Sequence, residues 1–201
     1  MVYKAVGFDY GGVIKGQPGS FFSAGVAELL GISKEKYQEA YFRHNKKVNR
    51  GEVTWPELWR LVLTDLGQPD KVDAVMELSN SVFDQAINQN MLDLVDRIKA
   101  KGYKVGLLSN NTLEAGQEMR KLGVDKHFDV FHISAETGDV KPEPNAFINL
   151  AKDLGVNISD LVFIDDAEKS LSTAHEVGFT DILFTSYDDV IKRLSTFGIN
   201  T

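Results

Sequence analysis

The chain has 201 residues, a formal net charge of −7 and no cysteine. This length fits one domain, or one domain that carries a smaller inserted one. The acidic balance argues against a general binder of nucleic acid or anionic membrane, and the lack of cysteine excludes disulfides, zinc–thiolate sites and cysteine nucleophiles. The N-terminal apolar run stops at Asp9, so the sequence predicts neither a signal peptide nor a membrane span there. We therefore expect a cytoplasmic protein.

The first apolar segment, residues 2–8, is short and rich in strand-forming residues, and the glycines that follow it predict a buried strand that ends there. Residues 19–85 instead place apolar side chains at spacings of three and four, which is typical of helices. Breaks at Gly31, at Gly51 and around residues 67–69 divide this part into four predicted helices. The first apolar stripe consists of Phe22, Val26 and Leu29. Four helices with no strand among them predict a small bundle.

After the bundle, helices alternate with the predicted strands "YKVGLLS", "VFHIS", "LVFID" and "DILFT". This alternation predicts a parallel sheet with helices on both faces. Residues 1–18 and 86–201 are therefore predicted to form an α/β domain, and residues 19–85 a helical insertion after its first strand. Asn111 and Glu114 are a predicted capping pair at the helix that follows the second strand.

Polar side chains collect where the predicted strands end. Asp9 follows the first strand, residues 109–111 (Ser-Asn-Asn) the second, and Asp165 and Asp166 the fourth, while the third runs into a loop that carries Lys141. Each group alone has an ordinary explanation as a helix cap, a turn or a solvated loop. Ligands of open α/β sheets bind at this edge, however. Together these groups predict a site for a phosphoryl group and a divalent metal, with oxygen ligands that suit Mg²⁺.

Four segments follow one another along the chain: "GFDYGGVI", "LLSNNT", "GDVKPEPNAF" and "FIDDAEKSLSTAHEVG". In this order they make the sequence resemble the haloacid dehalogenase superfamily, in its branch with a helical cap after the first strand. The resemblance covers essentially the whole chain. It implies a Rossmann-like three-layer α/β/α fold with a parallel sheet and an inserted helical-bundle cap.

The resemblance also implies a nucleophile and a metal site. Asp9 would attack the substrate and form an aspartyl-phosphate, a known use of a carboxylate. Asp9, Asp166 and the backbone carbonyl of Gly11 would hold Mg²⁺, with Asp165 in support.

The remaining motif residues are implied to bind the phosphate. Ser109 and the backbone of Asn110 would contact phosphate oxygens and stabilise their charge, and Lys141 would bridge the phosphate and the carboxylates. The cap would close over the site and select the substrate. The expected function is a magnesium-dependent phosphatase that acts on a small phosphorylated metabolite, with sugar phosphates among the candidates, and needs no nucleic acid or membrane.

Gly11 departs from the pattern of the superfamily's phosphatases. Those enzymes usually carry a second aspartate at this position, two residues after the nucleophile, as general acid and base. The carbonyl of Gly11 preserves the metal ligand, but the proton relay is lost. Members with glycine here exist, so the departure does not exclude activity.

Two other functions remain open from the sequence. A dehalogenase-type hydrolase would also use Asp9, but it needs no metal, and the Asp165–Asp166 pair argues against it. Arg43 is the nearest candidate for a halide-binding residue. The second alternative is a regulatory protein that binds phosphate without turnover because it lacks the general acid. His44 is predicted to be a packed side chain of the cap.

Overall fold

The structure, a computed structural model, describes residues 2–16, 21–83 and 86–201. Its strands are β1 (Ala5–Phe8), β2 (Lys104–Ser109), β3 (Val130–Ile133), β4 (Leu161–Asp165) and β5 (Thr180–Leu183). They form one 5-stranded sheet in the order β3-β2-β1-β4-β5, and every neighbouring pair is parallel. The predicted parallel α/β sheet is therefore confirmed.

Helices precede and follow these strands in the expected order. Those in the described ranges are α1 (Phe21–Leu30), α2 (Lys34–Asn49), α3 (Trp55–Asp65), α4 (Val72–Phe83), α5 (Gln89–Ala100), α6 (Leu113–Lys121), α7 (Ser134–Thr137), α8 (Pro144–Asp153), α9 (Glu168–Leu171), α10 (Ala174–Val177) and α11 (Tyr187–Thr196). Helices α1–α4 all lie between β1 and β2 in the sequence and are called the cap helices below. The later helices alternate with strands, as parallel pairing requires.

The sheet separates two apolar layers. Val6 and Phe8 of β1 belong to a buried cluster with side chains of α5, α6 and α11, whereas Ala5 belongs to a second cluster with side chains of α8 and α10. Successive side chains of a strand point to opposite faces. With both faces covered, each strand is an apolar run, and the fold has three layers, α/β/α.

Two paired glycines bring α8 close to the sheet. Gly7 of β1 is in register with Gly106 of β2. A Cβ on Gly7 would lie 2.5 Å from the ring of Phe163, and one on Gly106 would lie 2.9 Å from Leu150 of α8. The absence of a side chain at both positions therefore makes room for large apolar groups against the centre of the sheet.

The cap helices have an apolar cluster of their own. Trp59 of α3 is fully buried in it, and its ring lies 5.6 Å from Phe22 and 5.9 Å from Tyr41, measured between centroids. Leu30 is buried here, whereas Leu29 is 39% exposed, so the predicted stripe of α1 is wrong by one residue at its end. In the described part of the chain, no helix has the length and apolar character needed to cross a membrane.

The end of α2 contacts residues of α7 and of the segment just before α8. Arg50 donates hydrogen bonds to the carboxylate of Glu143 at 2.8 and 3.0 Å, and a Cβ on Gly51 would lie 2.7 Å from the backbone oxygen of Ala135. The predicted boundaries of a cap domain, at residues 18–19 and 85–86, coincide with residues outside the described ranges. The division into domains 1–18 with 86–201 and 19–85 therefore stays a prediction.

Candidate active site

The register of the sheet places two carboxylates side by side. Phe8 of β1 pairs with Ile164 of β4, so Asp9 and Asp165 leave neighbouring strands at the same level. The backbone N–H of Asp9 also donates to the Ile164 carbonyl at 2.8 Å, which extends the pairing by one residue. Parallel strands end at the same edge of a sheet, and both acids lie at that edge.

Lys141 joins these two carboxylates. Its Nζ lies 2.9 Å from Asp9 Oδ1 and 2.5 Å from Asp165 Oδ2. The side chain of Lys141 is 1% exposed and that of Asp165 is fully buried. The sequence alone left a solvated Lys-Pro loop as the ordinary explanation, and the structure instead places the ammonium beneath the acids. The second oxygen of Asp165, Oδ1, accepts a hydrogen bond from the Ala167 N–H.

Burial changes the proton affinity of this group of charges. Desolvation raises the pKa of Asp9 to about 7, because it outweighs the attraction of Lys141. Burial alone would lower the pKa of Lys141, but the carboxylates of Asp9 and Asp165 outweigh that effect and raise it. Lys141 therefore remains a cation, and Asp9 is the acid whose charge depends on what else enters the site.

The acidic cluster has the geometry of a metal site. Asp9, Asp165 and Asp166 each offer an oxygen, and these oxygens lie within 4.8 Å of one another. Carboxylate oxygens are the ligands that Mg²⁺ prefers. Both oxygens of Asp165 already accept hydrogen bonds from protein donors, Lys141 and Ala167. The donor set therefore fits a hard divalent ion, and Asp165 is the most buried of the three acids.

The two glycines after Asp9 have different backbone conformations. Gly12 has a φ of +73°, and a Cβ on it would collide with the carboxylate of Asp166. Gly11 has no such φ, and a Cβ on it would meet nothing within 4 Å. Gly12 is thus required for the loop to pass Asp166, whereas Gly11 tolerates a side chain.

The residues at the end of β2 are held from two sides. Ser109 is its last residue and is 2% exposed. The side-chain amide of Asn110 exchanges two hydrogen bonds of 2.8 Å with the backbone of Lys141. Ser134 Oγ accepts from the Asn111 N–H at 3.0 Å. The segment "LLSNNT" thus packs against the loop that carries Lys141, and the Asn110 side chain joins the two through hydrogen bonds.

Sequence reasoning missed two of the residues that position this site. Ser134 is fully buried beside Asn111, and Thr173 Oγ1 donates a 2.8 Å hydrogen bond to the carbonyl of Pro142, next to Lys141. Ser134 is the polar residue that follows β3, so the pattern of polar strand ends could have identified it. Thr173 comes from the segment between α9 and α10 and carries no comparable signal.

Two residues of the cap helices that the sequence analysis considered, Arg43 and His44, contact the same carboxylate, that of Asp65. Arg43 donates to Asp65 Oδ2 at 2.8 Å and to Glu39 at 3.2 Å. His44 Nε2 lies 2.9 Å from the same Asp65 oxygen, and its side chain is mostly buried. Arg43 therefore belongs to a cluster of ion pairs that joins α2 and α3 at the surface.

Comparison with known protein families identifies the family of this chain. A family model described as haloacid dehalogenase-like hydrolase matches residues 3–178. The chain belongs to that family. The resemblance of the four motifs is therefore confirmed, and the protein is a haloacid dehalogenase-like hydrolase.

Relatives of this hydrolase include phosphatases and longer proteins. A phosphorylated carbohydrates phosphatase of Thermotoga maritima is 26% identical over 184 residues, which cover 89% of this chain and 83% of the relative. The bifunctional epoxide hydrolase 2 of Mus musculus is 27% identical over 131 residues, which cover 63% of this chain. The matches span only 24%, 32% and 38% of the mouse, rat and pig epoxide hydrolases.

A solved structure shares the fold of this hydrolase. It is a HAD family enzyme of Bacteroides thetaiotaomicron in complex with magnesium and inorganic phosphate. The TM-score is 0.67 at 23% identity, and the match covers 94% of this chain and 98% of the other. The likeness shows the fold.

Proposed function

We propose that this protein is a magnesium-dependent phosphatase that hydrolyses a small phosphorylated metabolite through an aspartyl-phosphate. The observation that carries the proposal is the buried contact of Lys141 with Asp9 and Asp165, beside Asp166. A cation and three carboxylates at the end of a parallel sheet form a site for a phosphate and a metal. Phosphatases among the relatives and the magnesium–phosphate complex of the Bacteroides enzyme support the same chemistry.

Asp9 is the proposed nucleophile. Its Oδ1 accepts hydrogen bonds from Lys141 and from the Tyr10 N–H at 2.7 Å, which fix the orientation of the carboxylate. A carboxylate oxygen of Asp9 attacks phosphorus, and the bond from phosphorus to the leaving oxygen breaks. The leaving group departs with the electron pair and takes a proton from solvent. Water then attacks phosphorus, the bond to Asp9 breaks, and inorganic phosphate is released.

The charge of the phosphoryl group needs several partners. Asp9, Asp166 and the Gly11 carbonyl would hold Mg²⁺, which supplies charge neutralisation for the phosphate when it is bound. Ser109 and the Asn110 N–H would donate to the phosphate oxygens. Lys141 would face the same oxygens from below, and Asp165 would hold Lys141 in place.

A phosphate-binding protein without turnover is the second candidate, and one observation favours it. Gly11 stands where phosphatases of the family usually carry an acid, and no described side chain of the loop replaces it. A dehalogenase-type activity has less support, because Arg43 already pairs with Asp65 and Glu39. A small-molecule partner and a cytoplasmic location remain predictions from the sequence.

Phosphate release from a panel of phosphorylated metabolites, measured with magnesium and with EDTA, separates these functions. We expect magnesium-dependent release from at least one member and none by the Asp9→Asn variant. Phosphate binding without release would support the regulatory protein. Release that persists in Asp9→Asn would show that water, and not Asp9, attacks phosphorus.

A further inference from the structure

A cavity of about 170 Å³ lies between the cap helices and the end of β2. Among the described residues it is lined by Phe22, Tyr41, Val48, Asn49, Trp55, Ser79, Asn110, Asn111 and Thr112. An apolar cavity of about 150 Å³ is large enough to hold benzene. The space between the cap helices and the sheet is therefore large enough for one six-membered ring.

The cap side of this cavity is aromatic. The rings of Phe22 and Trp55 lie 5.9 Å apart, and Tyr41, which also lines the cavity, packs against Trp59 at 5.9 Å. The polar groups on this side are those of Tyr41, Asn49 and Ser79, and Ser79 Oγ already accepts a 2.9 Å hydrogen bond from Trp55 Nε1. No charged side chain occurs among the described lining residues. A ring offered to these surfaces would gain stacking and edge contacts.

The sheet side connects the cavity to the phosphate site at one residue. Asn110 lines the cavity, and its side chain is fixed to the backbone of Lys141. Asp9 and Lys141 do not line it. The cavity therefore adjoins the proposed phosphate site at Asn110, next to the position of the leaving group of a ligand whose phosphate is bound there.

We propose that the cavity holds the leaving group of the substrate and selects a phosphate monoester of an uncharged single aromatic ring, with Tyr41 and Trp55 as the residues that determine this preference. The inference rests on the phosphatase function proposed above and narrows its substrate. A sugar of the same size would bury several hydroxyls against rings, and each hydroxyl without a partner costs binding free energy. A charged leaving group would be desolvated without an opposite charge.

Binding of two non-hydrolysable probes tests the preference directly. Phenylphosphonate and methylphosphonate carry the same charged group, and only the first carries a ring. With magnesium present, we expect phenylphosphonate to bind at least about tenfold more tightly in calorimetry, because a buried ring leaves water. Trp55 and Trp59 are the two tryptophans of the chain, so only the ring probe should change the intrinsic fluorescence strongly. Equal affinities would overturn the proposal.

Variants of α2 locate the preference in the cavity. Tyr41→Leu removes a ring that lines it and leaves both tryptophans as reporters, whereas Tyr41→Phe removes only the hydroxyl. Phe42→Leu makes the same kind of change at the next residue, which is 45% exposed and does not line the cavity. We expect the two probes to bind Tyr41→Leu almost equally, and the preference to persist in the other two variants. An unchanged preference in Tyr41→Leu would contradict the assignment.

Hydrolysis of phenyl phosphate and acetyl phosphate separates this inference from the phosphatase proposal. Phenyl phosphate is an ester and acetyl phosphate an acyl phosphate; both have stable leaving groups, and only the first has a ring. Release of phosphate from acetyl phosphate together with equal binding of the two probes would overturn the cavity assignment alone. Preference for the ring probe without release of phosphate from either compound would overturn the phosphatase proposal and support the ligand class of the cavity.

Discussion

Lys141 Nζ donates a 2.5 Å hydrogen bond to Asp165 Oδ2, and both side chains are almost fully shielded from water. Removal of one charge from a buried pair leaves the other in surroundings of low polarity, which is costly. In Asp165→Asn, Lys141 keeps Asp9 as its remaining carboxylate. We therefore expect the free energy of unfolding to fall by about 3 kcal/mol, as measured by urea denaturation.

Asp153→Asn is the matched control for that loss. Asp153 Oδ2 lies 2.9 Å from His132 Nε2, but the Asp153 side chain is 51% exposed. Exposed pairs contribute about 1 kcal/mol or less, so this variant should unfold at nearly the wild-type urea concentration. A similar fall in the free energy of unfolding in the two variants would mean that the buried Lys141–Asp165 pair contributes no more to stability than the exposed pair.

Replacement of Asp9 should change stability in a pH-dependent way. The pKa of Asp9 is about 7 in the folded protein, against 3.8 for an ordinary aspartate. The folded state thus binds more protons than the unfolded state between these values, and wild-type stability falls as pH rises through them. Asp9→Asn cannot ionise. In EDTA, its thermal midpoint should exceed that of the wild type at pH 8, and the gap should narrow towards pH 4.

A pH-independent gap between the two thermal midpoints would contradict this account of Asp9. The same would hold if the variant were less stable at pH 8, because the carboxylate would then gain more from Lys141 than it loses by burial. The variant's near-ultraviolet circular dichroism should match that of the wild type, which shows that the fold is retained.

Magnesium should stabilise the wild-type protein through the acidic cluster. A ligand that binds only the folded state raises stability by about 2.7 kcal/mol at a concentration 100 times its Kd. We expect millimolar magnesium to raise the thermal midpoint of the wild type, and the rise to be lost in Asp166→Asn. Asp181→Asn changes an exposed carboxylate of β5 and should retain the full rise. A rise that survives in Asp166→Asn would place the ion elsewhere.

The order of elements and the edge that carries the site could be predicted from the sequence, because both depend on local periodicity. The apolar run before Asp9 and the run before Asp165 become adjacent strands with the two acids level. Parallel alternation of strands and helices leaves few other arrangements. The polar strand ends therefore converge without any knowledge of side-chain contacts.

Details that depend on tertiary packing could not be predicted. The cap of α6 is Thr112, whose hydroxyl accepts from the Ala115 N–H, and not the expected pair of Asn111 and Glu114. Asn111 instead contacts Ser134, a residue of another strand end. The burial of Lys141 likewise depends on partners 24 or more residues away. The spacing of residue types within one segment gives no information on partners that come from distant segments.

Gly51 and Gly31 provide a test of the contact between cap and sheet. Both follow a cap helix, with φ values of +69° and +64°. Alanine costs about 1–2 kcal/mol at such a φ. Only at Gly51 would the new Cβ also meet the sheet domain, 2.7 Å from the Ala135 oxygen, whereas Gly31 faces open space.

We expect Gly51→Ala to lower kcat/KM for phosphate release at least about tenfold, because it shifts the cap relative to the site. Gly31→Ala should reduce stability alone. The comparison is made at a temperature where both variants are folded, as judged by thermal unfolding. Equal kcat/KM values in the two variants would show that the contact between the end of α2 and Ala135 does not affect catalysis.

From the sequence we expect Gly11 to occupy the position at which the site would otherwise carry a proton donor. Departure of an alkoxide needs a proton, and a positioned general acid contributes about 10²–10⁴-fold to the rate. The wild type should therefore hydrolyse aryl and acyl phosphates, whose leaving groups are stable, better than alkyl phosphates. A Cβ at Gly11 meets nothing within 4 Å, and its φ is not in the left-handed region. The backbone thus permits an aspartate there without strain.

Gly11→Asp should accelerate hydrolysis of an alkyl phosphate such as glycerol phosphate by roughly 10²-fold, with a smaller gain for phenyl phosphate. Gly11→Asn is the matched control, because it has nearly the same shape and hydrogen-bonding reach but cannot release a proton. The rates are compared with saturating magnesium, so that a change in metal affinity does not imitate a change in chemistry. If Gly11→Asn gains as much as Gly11→Asp, the new side chain acts by contact with the substrate. If neither gains on the alkyl ester, the glycine does not limit hydrolysis of alkyl phosphates, and the proton comes from solvent, from another group or from the substrate.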